Sequence, residues 1–284
     1  MFSITLVRVP RPAHSFSRTV SAVAAASAVC LLSACGDEET PNGEEETPEP
    51  TAEVTEGTTD SPDEESPAEG DEPSEPEPFS GEEMTEILLT SGELPETPTG
   101  HSTHTGLDWF TEELAVESTA YADAFGESEC ASALDTINVD LVGEEAQEGL
   151  AHEYQRTTGE DDGDAEDAAT ETLVVWALAY PADTSRETAE LWEDLAASCE
   201  DDLERGGDTI SVEPLEPSDD ELFTGMSLTI TMSDGDDAAE IDVFSATADV
   251  GPNTVMLSAV NMDRSTFVDL LDAQEDKIQD HLAG

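Results

Sequence analysis

The side chains that could do chemistry here are four cysteines and five histidines, set among 70 Asp and Glu in 284 residues. His101-Ser102-Thr103-His104 spaces two imidazoles so that both could reach one metal ion. Structural and catalytic zinc sites use three or four protein ligands, however, and no third is defined here. Two solvated histidines in a polar loop are the competing reading, and no metal is expected. Nucleophilic hydrolysis needs a base beside a serine or cysteine. No serine stands in Gly-x-Ser-x-Gly, and His101, His104, His152 and His281 carry no local signature. No catalytic residue is therefore assigned, and the chain is read as a non-enzyme without a cofactor. The stretch Gly159 to Asp167 is dense in carboxylates. It lacks the EF-hand order, which needs a glycine at position six and a bidentate Glu at twelve, so diffuse cation attraction is expected there.

Charge narrows the partners. Eight Lys plus Arg against 70 acids give a formal net charge of -62. Such a chain repels phosphate backbones, which excludes nucleic acid as a partner. It also lacks a basic face for anionic lipid. Residues 81–284 hold 52 of the acids and only five bases: Arg156, Arg186, Arg205, Arg264 and Lys277. Acids spread over a whole domain, rather than gathered in one patch, read as the surface of a halophilic protein, whose self-repulsion is screened within a few ångströms at ~1 M salt.

At the N-terminus Arg8, Arg11 and Arg18 precede an apolar run from Val20 to Leu32. That is the charged and hydrophobic pattern of a secretory signal, too short for the ~18–20 apolar residues of a spanning helix. The run ends Leu32-Ser33-Ala34-Cys35-Gly36, which resembles the lipobox of bacterial lipoproteins. The resemblance implies cleavage between Ala34 and Cys35 and a diacylglycerol on the Cys35 thiol. Two acyl chains suffice for stable anchoring, so the membrane becomes a partner and its outer, extracytoplasmic face the expected location. An ordinary leader that leaves a free thiol at Cys35 is the alternative. Cys30 leaves with the leader in either case.

Three segments follow from composition: a signal peptide over 1–34, an acidic Pro-rich linker over 35–80, and a folded domain over 81–284. Gly36 to Ser80 holds 18 acids, no Lys or Arg, and eight of the 16 prolines. A segment this poor in apolar groups cannot offset the entropy of ordering, and proline favours an extended spacer.

Within 81–284, Met84, Ile87 and Leu88 predict a short amphipathic helix ending near Gly92 and Pro95. Glu112 to Val142 reads as helical, from Leu114, Ala120, Tyr121, Ala124 and Phe125. Leu173 to Tyr180 is a near-continuous apolar run, the mark of a strand covered on both faces, and Pro181 ends it. Thr184-Ser185-Arg186-Glu187 has the form of a capping box before a helix that carries Leu191, Trp192, Leu195 and Cys199 on one face. Gly206-Gly207 is expected to break that helix. Phe223 to Met232 alternates, Asp234-Gly235 signals a hairpin, and Ile241, Val243 and Ser245 return. Thr254 to Val260 gives another strand, and Asp263 caps a last helix with Phe267, Leu270, Leu271 and Ile278 facing in. Without regular βα alternation, the class is α+β: a mainly antiparallel sheet packed by helices, after a disordered acidic stalk.

Outside the cytoplasm the remaining pair, Cys130 and Cys199, is expected to form a disulfide. A redox-active pair is the alternative, although such pairs usually have Cys-x-x-Cys spacing. Leu173-Val174-Val175-Trp176 through Tyr180-Pro181, the helix to Cys199, and Val255–Val260 with its closing helix resemble the PknH-like extracellular sensor domain of actinobacterial extracytoplasmic proteins, lipoproteins among them. That resemblance covers less than half of the chain. It implies an antiparallel sheet packed by helices, with a groove for a ligand. Members often carry two disulfides, whereas this chain can make one, and no ligand residue carries over. The leading expectation is a lipoprotein whose domain binds or senses a small hydrophobic, cell-wall or lipid-like molecule. An envelope scaffold is the alternative. Trp109, Trp176 and Trp192 could line a pocket, with core packing favoured for Trp176 and Trp192 by their apolar neighbours.

Overall fold

The computed structural model describes residues 77–158, 169–215, 222–234 and 237–283. Cys35, the leader, most of the expected stalk and the Gly159–Asp167 stretch lie outside the described residues. Eight strands form a single antiparallel sheet: β1 (Gly100–Thr105), β2 (Glu148–Thr158), β3 (Ala169–Ala179), β4 (Leu203–Arg205), β5 (Asp208–Leu215), β6 (Thr224–Asp234), β7 (Asp237–Val250) and β8 (Asn253–Val260). Their spatial order is β1-β2-β3-β8-β7-β6-β5-β4. Helices α1 (Gly81–Ile87) and α5 (Arg264–Ala283) cover one face, and α2 (Ala120–Phe125), α3 (Glu129–Val142) and α4 (Thr188–Ser198) cover the other. This is the α+β class read from the sequence.

The parity of β3 shows why its apolar run is continuous. Leu173, Val175 and Ala177 join the core under α1 and α5, while Val174, Trp176 and Leu178 join the core under α3 and α4. Alternate side chains of a strand point to opposite faces, so a strand roofed on both sides has no polar position. Each fully buried Leu or Val contributes roughly 1.5–3 kcal/mol against leaving it exposed. Gly149 on β2 serves the same packing. A Cβ there would lie 2.6 Å from Phe110 Cε2, the ring that meets Trp176 edge-on with centroids 5.8 Å apart.

Several local expectations change. Phe79, expected at the end of the stalk, is buried, and its N–H donates to Asn253 Oδ1 at 2.7 Å. The fold therefore takes in residues assigned to the linker. Ser80 opens α1 through a reciprocal cap with Glu83. The helix stops at Ile87, earlier than the Gly92 expected, because α5 takes over its last polar groups. Gln274 Nε2 donates to Ile87 O at 2.6 Å and Lys277 Nζ to Leu88 O at 2.7 Å.

The helix expected over Glu112 to Val142 is in three pieces: a π-helical turn at Phe110–Leu114, then α2, then α3. Gly126, at φ 98°, ends α2, and Ser128 Oγ accepts from Ala131 N to start α3. The capping box at Thr184 to Glu187 does not form. Glu187 makes no side-chain cap, and Asp249 of β7 reaches α4 instead, accepting from Thr188 N at 2.6 Å. Nor does Gly206-Gly207 break a helix. It turns β4 into β5, both residues at positive φ, after α4 has ended at Ser198.

Candidate functional site

Strand parity decides the histidines. His101 and His104 stand three apart on β1, so their rings lie on opposite faces of the sheet. His101 stacks on Tyr154 with centroids 4.8 Å apart, and His104 stacks on Trp109 at the same distance. The pair cannot share an ion. Among the described residues, no three His, Cys, Asp or Glu come together as metal ligands.

β1 instead brings His101 to His152 of β2. Thr103 Oγ1 sits 3.2 Å from His101 Nε2 and 3.1 Å from His152 Nδ1. One hydroxyl has one proton, so it donates to one imidazole and accepts from the other. Burial, then the nearby His101, Lys277 and His104, holds the His152 pKa below its ordinary value. On the other face His104 Nε2 lies 3.8 Å from Glu153 Oε2.

Cys130 of α3 and Cys199, just past α4, are bonded, with Cα atoms 4.6 Å apart and a sequence separation of 69. Both are buried, which suits a structural link shielded from thiol exchange. Trp109, Trp176 and Trp192 all belong to the core around this link. Trp192 Nε1 donates to the buried Thr247 Oγ1 at 2.7 Å.

Among the described residues, a site with room for a ligand lies elsewhere, at the end of the sheet where β2, β3 and the start of α5 meet. It is a groove of about 140 Å³. Tyr154 and Leu173 are paired across β2 and β3, and their side chains with Leu270 form its apolar floor. A strap carrying Leu94, Pro95 and Pro98 makes one wall, and Met262 with the first turn of α5 makes the other.

Sequence-distant bonds fix the strap at both ends. Thr99 N donates to Gln155 O at 2.8 Å. Toward the other end Tyr154 OH donates to Leu89 O at 2.9 Å, and Lys277 Nζ meets Glu93 at 2.9 Å. Burial, reinforced by the negative Glu93, pushes the Tyr154 phenol up to about 12, so it stays a neutral donor. Burial pushes the Glu93 carboxyl up, but the bonds from Lys277 and Thr90 outweigh it and leave the pKa lowered.

Polar groups ring the opening. Arg156 and Glu171 face each other across β2 and β3, with Arg156 Nε donating to Glu171 Oε2 at 2.9 Å, and Arg156 also pairs with Glu96 of the strap. Asp263 stands where β8 gives way to α5. Asn261, at φ 57°, makes that bend and donates from Nδ2 to Thr170 O at 3.1 Å. None of these residues carries a local ligand-binding signature in the sequence, where Asp263 reads only as a helix cap. The one available signal is Arg156, a rare base in the folded part. Its pairing with Glu171 exists only once β2 and β3 are in register.

No helix among the described residues is long and apolar enough to cross a membrane. No protein family matches the chain, and no curated protein does. Among solved structures, the crystal structure of the extracellular domain of PknH from Mycobacterium tuberculosis is similar at 11% identity. That likeness covers 72% of this chain and 98% of the other, with a TM-score of 0.41.

Proposed function

We propose that this chain is a non-enzymatic extracytoplasmic lipoprotein, anchored through Cys35, whose folded domain binds a small, largely apolar ligand in the groove beside Tyr154, Leu173 and Leu270. The groove carries this reading: an apolar floor with a few convergent polar groups at its mouth is the usual form of a small-molecule site. Its volume sets the scale of the ligand. A cavity of about 150 Å³ accepts one benzene ring, so a groove of about 140 Å³ suits a single ring or a short branched chain rather than a whole diacyl lipid. The buried Cys130–Cys199 link supports an oxidising compartment, and the sequence Leu32 to Gly36 supports the anchor.

Native mass spectrometry of the protein gently extracted from its membrane tests both parts. The expected spectrum shows diacylglycerol on Cys35 together with a reproducible non-covalent adduct that Thr266→Trp, which fills the groove, removes. A mass without diacylglycerol would refute the anchor. An adduct that persists in Thr266→Trp would move the site elsewhere.

A further inference from the structure

We infer that the ligand of this groove is a small organic cation: an amine or quaternary ammonium carrying one ring or a short branched alkyl group. The inference rests on the groove being the binding site and adds the charge of what it binds. Three carboxylates, Glu96, Glu171 and Asp263, share the mouth with one guanidinium, that of Arg156.

These groups differ in how far they are satisfied. Glu171 is held against Arg156, with its side chain 15% exposed. Glu96 shares the same guanidinium from the strap side, 67% exposed, and can turn toward a second cation. Asp263, the residue before α5 that the sequence marks as its cap, is exposed, accepts from Phe267 N through its backbone O, and makes no side-chain hydrogen bond among the described residues. The one positive group is thus engaged by two acids, and the third acid is uncommitted.

An anionic ligand would have to displace Glu96 from Arg156 and then sit beside every carboxylate of the rim. The whole molecule, at -62, opposes its approach as well. A cation meets the reverse situation at each step. Charge alone would retain nothing, since an exposed carboxylate holds a hydrated ion weakly in salt. Retention comes from the apolar part. Leu94, Leu173 and Leu270 remove a ring or alkyl group from water while the charged head stays at the mouth beside Asp263 and Glu96.

Three probes that share a benzene ring test this: benzyltrimethylammonium, benzyl alcohol and benzoate. Each is titrated into the disulfide-bonded chain, with binding read by ligand-observed NMR. The cation should bind at least tenfold more tightly than benzoate, with benzyl alcohol between them, and the gap should narrow as salt rises. Asp263→Asn and Glu96→Gln should each weaken the cation severalfold while leaving benzyl alcohol unchanged. Thr266→Trp should abolish all three, and Leu94→Trp, which fills the groove from the strap, repeats that test if the first variant fails to fold. Benzoate binding as well as or better than the cation would overturn the inference about charge and leave the groove as the site. No binding by any probe, or cation binding that both filling variants leave intact, would overturn the groove itself and the inference with it.

Discussion

With five bases in its folded part, the chain places three at the carbonyl ends of helices. Arg186 donates to Asp140 O and Leu141 O near the end of α3 while lying 4.6 Å over the Tyr180 ring. Arg205 donates to Asp123 O and Ala124 O near the end of α2, and Lys277 to Leu88 O at the end of α1. Helix starts are treated in the opposite sense. Asp135 accepts from Tyr121 N and Ala122 N to cap α2, and Asp249 accepts from Thr188 N and Thr188 Oγ1 to cap α4. Each charge lies where the helix dipole favours it. Asp249→Ala would strip α4 of its cap and leave Thr254 Oγ1 without its acceptor at 2.7 Å. The expected cost is about 1–3 kcal/mol, read as a lower urea midpoint. His152 gives a second prediction at this scale. Its folded pKa lies below the ordinary 6.5, so the unfolded chain takes up the proton more readily. The stability it contributes is present above pH 6.5 and is lost as pH falls through the lower, folded value. Thermal midpoints should drop on acidification through that window, and His152→Gln should flatten the drop.

Elements were legible where their burial was lopsided or complete. The run from Leu173 to Tyr180, the face of α4 from Trp192 to Cys199, the alternation of β6 and the inward face of α5 all emerge from apolar spacing, and the structure has each of them. The sequence of β1 looks like a loop because an edge strand reading GHSTHT, largely exposed, carries no apolar period. The true cap of α4 was hidden because Asp249 is 61 positions away from Thr188. For the same reason the groove could not be read. Its floor comes from β2, β3 and α5, and its wall from residues 94–98, so no local window contains it. The disulfide acts at this scale too, joining the start of α3 to the end of α4 across 69 positions. Closing that loop contributes about 4 kcal/mol in the chain-entropy picture. Replacing both Cys130 and Cys199 with Ala should lower stability by about 2–5 kcal/mol, and adding reductant under denaturing conditions should leave the refolded wild type at the level of that variant.

For the whole molecule, 52 acids against five bases over residues 81–284 leave a large excess of like charge. On the halophilic reading of this surface, bulk ions screen that repulsion. The unfolding midpoint should therefore rise as sodium chloride increases from about 0.1 M to about 1 M, where the screening length shrinks to ~3 Å. A midpoint indifferent to salt would remove the halophilic reading of the surface. The structure also fixes where the chain enters the domain. Phe79 is pinned to Asn253 at the first residue of β8, and its ring meets His281 near the end of α5 at 5.6 Å. The groove lies past the last residue of β8, about 25 Å along a strand of this length, where α5 sets out. Entry to the fold and the last turn of α5 thus share one corner, and the groove occupies the opposite end. A domain held by that corner, as the proposed anchor at Cys35 would hold it, presents its opening on the side away from the point of attachment. Capturing the protein on a bead or sensor chip through residues before Glu77 would leave that opening clear, so such a surface would report occupancy rather than obstruction.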